Sequence, residues 1–216
     1  MLKNVIEKAS EESSPWPWYG LSDVLDEEQV AEIRAMQFNE RERMHGGKRS
    51  DNTSVRQFVT ENGPPGLRRL VEELLSKEVQ EAIHKKIYKY DGNYSGLYVR
   101  MEVLNDKDGF WLEPHCDIGE KLISCLVYVN ETDEDENIGT DLYTDMRGWF
   151  LCGSEDSLLE PVRTVPFIHN TGYMFSQFDG NGNKVHGLSK GKKIKVERRG
   201  LQINYVTFET PWRVYE

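Results

Sequence analysis

Four side chains in this sequence can do chemistry together. His115 and Asp117 stand two residues apart in His115-Cys116-Asp117, His186 follows much later, and Arg198 comes after it. Two imidazoles and one carboxylate can occupy one face of a metal ion and leave the opposite face open. Nitrogen and oxygen donors of this kind suit Fe(II). Alternate residues of a strand point the same way, so His115 and Asp117 can aim at one centre while Cys116 points elsewhere. Pro114 favours extended chain just before them. Arg198 and Arg199 open a strand-like run and must face opposite sides. We expect Arg198 inside and Arg199 outside. A buried guanidinium needs an anion, and its fork matches the far carboxylate of an organic acid chelating the metal. Singly, each piece reads as an ordinary surface residue, with both arginines part of the basic run Lys190 to Arg199. Their order and context set them apart: the His115–Asp117 pair follows a strand after a glycine loop, and the second histidine precedes the strand that arginine opens.

These side chains need a rigid frame. Residues 1–15 are polar and expected to be loose, and Trp16-Pro17-Trp18-Tyr19 reads as an apolar anchor in an early strand. Leu21 to Phe38 has helical spacing, with Ser22 as N-cap. A loop then surrounds a short strand at Val55–Val59, and a second helix is expected from Pro65 to Tyr88, with an apolar stripe through Leu67, Leu70, Leu74, Val79 and Ile83. From Gly96 the period changes to two. Leu97–Leu104, Ile123–Val129, Gly148–Cys152, Gly172–Ser176, Lys184–His186 and Leu201–Phe208 are the expected strands, separated by Gly, Asn and Asp clusters. Helices followed by many short strands predict a mainly β fold: an antiparallel double-sheet core with flanking helices. Residues 1–95 form a helical and loop region packing on a core at 96–216, together one structural domain.

The chain has 216 residues and a net charge of -10. That is enough length for a substantial core, and the charge argues against nucleic acid or anionic membrane as partners. Three cysteines, Cys116, Cys125 and Cys152, are too few for a disulfide framework and point to a reducing compartment. Cys116 is expected to be an inert thiol. No apolar signal core opens the chain and no stretch is long enough to cross a bilayer, so a cytoplasmic location is expected.

The segment from 96 to 208 resembles the Fe(II)- and 2-oxoglutarate-dependent oxygenases, in their prolyl 4-hydroxylase-like branch. The resemblance rests on five segments: His115-Cys116-Asp117; Lys121 through Asn130; Gly139-Thr140-Asp141-Leu142-Tyr143; Val185-His186-Gly187; and Arg198 through Tyr205. It implies a double-stranded β-helix (jelly roll, cupin-like) and Fe(II) held by His115, Asp117 and His186. It further implies 2-oxoglutarate held by Arg198 with Ser124 and Tyr128, O₂ as oxidant and ascorbate as a supporting reductant. Two departures stand out. Many relatives carry a tyrosine on the strand before the HxD turn where this chain has Val103-Leu104-Asn105, and some carry serine where it has Gly200.

The implied reaction is hydroxylation coupled to conversion of 2-oxoglutarate to succinate and CO₂. Asp117 separates the chain from halogenating relatives, which lack that carboxylate, and favours hydroxylation or a related desaturation or ring closure. Two other readings compete: a jelly-roll module that binds a ligand without catalysis, and a cupin-type metalloenzyme that does not use 2-oxoglutarate. Loops at the barrel mouth set the substrate. The loop Arg43–Arg56 carries Lys48, Arg49 and Arg56, and Arg49 and Arg56 are the candidates for an anionic group. A small molecule is favoured over a peptidyl substrate, and the oligomeric state is open. His84, near a helix end, is expected to cap it, and His169, at a turn, to be structural.

Overall fold

The computed structural model describes residues 1–38, 54–88, 97–130, 136–144, 160–177, 183–189, 192 and 197–206. The expected strand Gly148–Cys152 lies outside these residues, as does Arg49. Among the described residues, eleven strands in two antiparallel sheets carry the site. In chain order the strands are β1 (Ser10–Glu12), β2 (Trp18–Ser22), β3 (Ser54–Phe58), β4 (Tyr98–Asp106), β5 (Leu112–His115), β6 (Lys121–Tyr128), β7 (Thr140–Leu142), β8 (Arg163–Val165), β9 (Thr171–Ser176), β10 (His186–Leu188) and β11 (Arg198–Val206). The larger sheet runs β1-β2-β9-β6-β11-β4-β3 and the smaller β5-β10-β7-β8. The fold is mainly β, as expected, and strands β1 to β3 from the first third of the chain join the larger sheet.

Among the described residues, four α-helices cover the outer face of that sheet: α1 (Leu2–Lys8), α2 (Glu27–Ala35), α3 (Pro65–Leu75) and α4 (Lys77–Tyr88). Period-two alternation divides the large sheet's residues cleanly. Val99, Met101 and Val103 of β4, Leu201, Ile203 and Tyr205 of β11, and Ile123 and Val127 of β6 pack in one cluster with the helices' Ile33, Leu67, Leu70, Leu74 and Ile83. A second cluster lies between the sheets and contains Trp16, Trp18, Phe110, Tyr128, Leu142, Phe167, Tyr173, Phe175 and Leu188. Among the described residues, no helix is long and apolar enough to cross a membrane.

Several local expectations are corrected. Residues 1–15 are not loose throughout. Leu2 and Ile6 of α1 are buried, and the terminal amine and the Leu2 amide both donate to Glu73 Oε1 at 2.6 Å. Leu21 and Ser22 belong to β2, so the helix starts later. Its N-cap is Asp26, whose side chain accepts from the Gln29 amide while the Gln29 side chain accepts from the Asp26 amide. This reciprocal box outcompetes Ser22. The second expected helix breaks at Ser76, which sits extended at φ -64, ψ 146. Its hydroxyl donates to Glu73 O at 2.6 Å and takes the Val79 amide at 3.4 Å, ending one helix and starting the next. His84 lies within α4 and is buried, with its ring 5.3 Å from Tyr88; it packs rather than caps. Cys116 is disulfide-bonded, which corrects the expectation of a thiol there. Cys125 is free, and burial pushes its thiol up to about 12.

The helical layer is fastened by Glu32. Its two carboxylate oxygens accept from the Gly66 and Leu67 amides at 2.8 Å each, satisfying two of the donors a helix N-terminus leaves open. A side chain at Gly66 would meet Glu32 Oε2 at 2.7 Å, so glycine is what lets the carboxylate approach. Glu32→Ala should lower unfolding free energy by about 1–2 kcal/mol, the usual loss for a helix cap, read as a lower midpoint in urea with an unchanged slope.

Candidate metal centre

The site is built on the small sheet. β5 and β10 pair antiparallel with His186 opposite His115, which brings the two rings to 4.5 Å between centroids. Gly187 permits this, since a Cβ there would lie 2.6 Å from Leu112 O. Asp117 follows β5 after one intervening residue. Ligand atoms of His115, Asp117 and His186 all lie within 4.8 Å of one another.

Each histidine ring is aimed by its own backbone. His115 Nδ1 is 2.8 Å from Glu113 O and His186 Nδ1 is 2.8 Å from Lys184 O. A carbonyl only accepts, so Nδ1 carries the proton and Nε2 keeps its lone pair for a metal. The sequence did not identify these acceptors, because a backbone carbonyl two residues upstream leaves no mark in residue type. Burial, with the neighbouring His186 adding to it, holds the His115 imidazole down at about 3 against the pull of Asp117. Burial likewise lowers His186. Both rings are therefore neutral at pH 7, each with an Nε2 lone pair that could bind a cation.

Asp117 is held from two sides. Lys121 Nζ donates to Oδ1 at 2.6 Å, and Ser124 Oγ donates to Oδ2 at 2.5 Å. Burial alone would raise this carboxyl, but Lys121 and the two histidines outweigh it and keep it well below the usual carboxylate range. It is ionised and ready to ligate.

A cavity of about 250 Å³ opens from these residues. Its lining includes Arg56, Arg100, Thr140, Tyr173, Phe175 and Arg198. Arg198 faces it and is buried. Its Nε and Nη2 donate to Asp106 Oδ2 at 3.0 and 2.6 Å, and Nη1 reaches Ile138 O and Gly139 O at 2.8 and 3.2 Å. The anion a buried arginine requires is thus Asp106, itself steadied by Ser54 Oγ at 2.6 Å. One Nη2–H remains for a ligand. Arg199 turns the other way and donates to the Ile33 and Arg34 carbonyls at the end of α2. Tyr128 shares a hydrogen bond of 2.7 Å with Thr140. Burial pushes Tyr128 up to about 12 and Tyr173 well above its ordinary value, so both stay as neutral hydroxyls. His169 accepts the Asn130 amide at Nδ1 at 3.3 Å and stands apart from the site.

Sequence reasoning missed Asp106, Thr140, Tyr173, Arg100 and Glu102. One signal was present. Strand β4 reads Tyr-Val-Arg-Met-Glu-Val-Leu-Asn-Asp, and charges at alternate positions of a buried strand mark a polar inner face.

No family model and no curated protein matches the sequence. Solved structures share its fold. A prolyl 4-hydroxylase from Pseudomonas putida is 14% identical with a TM-score of 0.59, covering 97% of this chain and 100% of that one. HygX from Streptomyces hygroscopicus, with nickel, 2-oxoglutarate and hygromycin B bound, is 14% identical with a TM-score of 0.61, covering 91% and 85%. A prolyl hydroxylase from Trichoplax adhaerens, in complex with a hypoxia inducible factor peptide, is 13% identical with a TM-score of 0.55, covering 95% and 89%. The two antiparallel sheets therefore form the jelly roll of the 2-oxoglutarate oxygenase structures.

Ser124→Ala should weaken metal binding by roughly 10- to 100-fold, the usual effect of deleting a group that orients a metal ligand. His186→Ala should abolish stoichiometric binding. Metal titration with circular dichroism as the folding control checks both.

Proposed function

We propose that this chain is an Fe(II)- and 2-oxoglutarate-dependent oxygenase that hydroxylates a small molecule. The observation that carries the reading is the aimed triad: two Nε2 lone pairs and one ionised carboxylate converge, with each imidazole fixed through Nδ1 to a main-chain carbonyl. This donor set suits a divalent iron with open positions. The jelly-roll fold shared with the 2-oxoglutarate oxygenase structures supports the same reading.

His115, Asp117 and His186 would hold the metal. When bound, the metal and its co-substrate supply the oxidation: 2-oxoglutarate, O₂ and R–H give succinate, CO₂ and R–OH. The residues do the rest. Arg198 offers its remaining N–H to the far carboxylate, with the neutral hydroxyls of Tyr128 and Thr140 beside it. Tyr173 stands on the same cavity wall and compensates for the tyrosine absent at Val103-Leu104-Asn105. Asp106 and two main-chain carbonyls keep the guanidinium from swinging, so little side-chain entropy is lost on binding. Phe110, Phe175 and Leu188 line the cavity and exclude water from the reacting centre.

The same Arg198–Asp106 pair favours a second reading. An arginine already satisfied by a carboxylate has less need of a ligand anion, as in a cupin-type metalloenzyme that does not use 2-oxoglutarate. Anaerobic visible absorption separates the two. Adding Fe(II) and then 2-oxoglutarate should produce a charge-transfer band that needs both, and air should then yield succinate. Arg198→Gln should raise the 2-oxoglutarate concentration for half-saturation about tenfold or more, the worth of a charge-assisted hydrogen bond. A folded, iron-loaded protein that shows no band with 2-oxoglutarate would overturn the first reading and favour the second.

A further inference from the structure

The cavity holds a second cationic group that neither the metal nor the co-substrate uses. On the inner face of β3 and β4, Arg56, Arg100 and Glu102 are all buried. Arg100 Nη2 ion-pairs with Glu102 Oε1 in close contact, and its guanidinium lies 5.3 Å over the Phe58 ring. Arg56 is less well served. Its Nη1 is 3.7 Å from Glu102 Oε2, beyond hydrogen-bond distance, and its hydrogen bond is to the neutral amide oxygen of Gln202 at 2.8 Å. Among the described residues its buried Nε has no hydrogen-bond partner. The other cations of the cavity wall are matched more directly: Arg198 by Asp106, and Lys121 by Asp117.

Position adds to this. Gln202 stands four residues from Arg198 on the same face of β11, roughly 13 Å away at 3.3 Å per residue. Asn204, next along that face, pairs with Arg100 on one side and Ser124 on the other, and Ser124 donates to the ligand Asp117. Arg56, Arg100 and the triad residues line one cavity. In register Arg56 stands level with Leu104 and Gly200, and its guanidinium reaches on to Gln202, so the cation lies between Arg198 and the Asn204–Ser124 level beside Asp117.

We propose that Arg56, seated beside Arg100 and Gln202, receives a carboxylate of the prime substrate, which is therefore a small organic acid such as an amino or hydroxy acid. This rests on the oxygenase reading and names its substrate class. A guanidinium with an unused buried N–H binds a carboxylate by charge-assisted hydrogen bonds. A single carboxylate fits better than a phosphate, because Glu102 shares the space and would repel a dianion. Glu102 is also a built-in competitor for Arg56, which gives variants of opposite sign.

Calorimetric titration tests the proposal with a panel of amino and 2-hydroxy acids, each beside its primary amide. The protein is used both metal-free and loaded with nickel(II) and 2-oxoglutarate. At least one acid should bind ten times more tightly than its amide. Arg56→Gln should weaken that acid at least tenfold and Glu102→Gln should tighten it severalfold, while neither moves 2-oxoglutarate affinity more than twofold. Should Arg56→Gln fail to fold, Glu102→Gln decides, because damage to the fold would not tighten binding. Absence of any selective acid, equal binding of acids and amides, no tightening in Glu102→Gln, or a loss of 2-oxoglutarate affinity in Arg56→Gln overturns it. Failure of the oxygenase reading would show separately, as no 2-oxoglutarate binding in the metal-loaded protein.

Discussion

The pairing of β5 with β10 is the constraint on which the chemistry of this molecule depends. It sets His186 directly across from His115. A slip of one residue would turn one ring to the other face of the sheet and leave no triad. Both strands are short, so their own ladder is a weak guarantee of register. The register is fixed instead by what surrounds it: β7 on the far side of β10, the close backbone approach at Gly187, and the aromatic cluster between the sheets. The Phe175 ring stands 5.1 Å from the His186 ring, so the packing that stabilises the sandwich also orients that imidazole.

The larger sheet has a divided character. Its outer face is apolar and seals against four helices, and that face supplies most of the buried hydrocarbon. Its inner face carries Arg56, Arg100, Glu102, Asp106, Arg198, Gln202 and Asn204, all but Gln202 buried. Charges in such a place cost desolvation energy and are weak contributors to stability even when paired. A fold needing only a core would fill those positions with leucine and valine. The helical side is tied down separately, by the Glu32 cap and the Arg199 bonds to the end of α2. The inner face is then free to be arranged for ligands.

Pre-organisation unites the two ends of the cavity. Main-chain carbonyls choose the tautomer of each histidine, Ser124 and Lys121 hold Asp117, and Asp106 holds Arg198. None of these supporting groups would be a metal ligand, yet each removes a freedom that binding would otherwise have to freeze.

The residue types of the triad are legible in the chain alone, because HxD spacing in an extended segment puts two donors on one side. So are the strands β4, β6, β9 and β11 to within a few residues, through their period-two burial, and the inward turn of Arg198 against the outward turn of Arg199. Sequence reasoning misplaced elements where local signals compete. Ser22 and Asp26 both suit an N-cap, and only the tertiary position of β2 against β9 decides between them. Ser76 breaks a helix whose apolar stripe continues straight through it. Tertiary structure alone decided what faces each site residue. Asp106 reaches Arg198 because β4 lies beside β11, and Ser124 reaches Asp117 because β6 follows the turn after β5. Arg56 meets Gln202 across an intervening strand. Asp106 and Arg198, like Arg56 and Gln202, are far apart along the chain, and hydrogen bonds between distant residues leave no periodicity in the sequence to read.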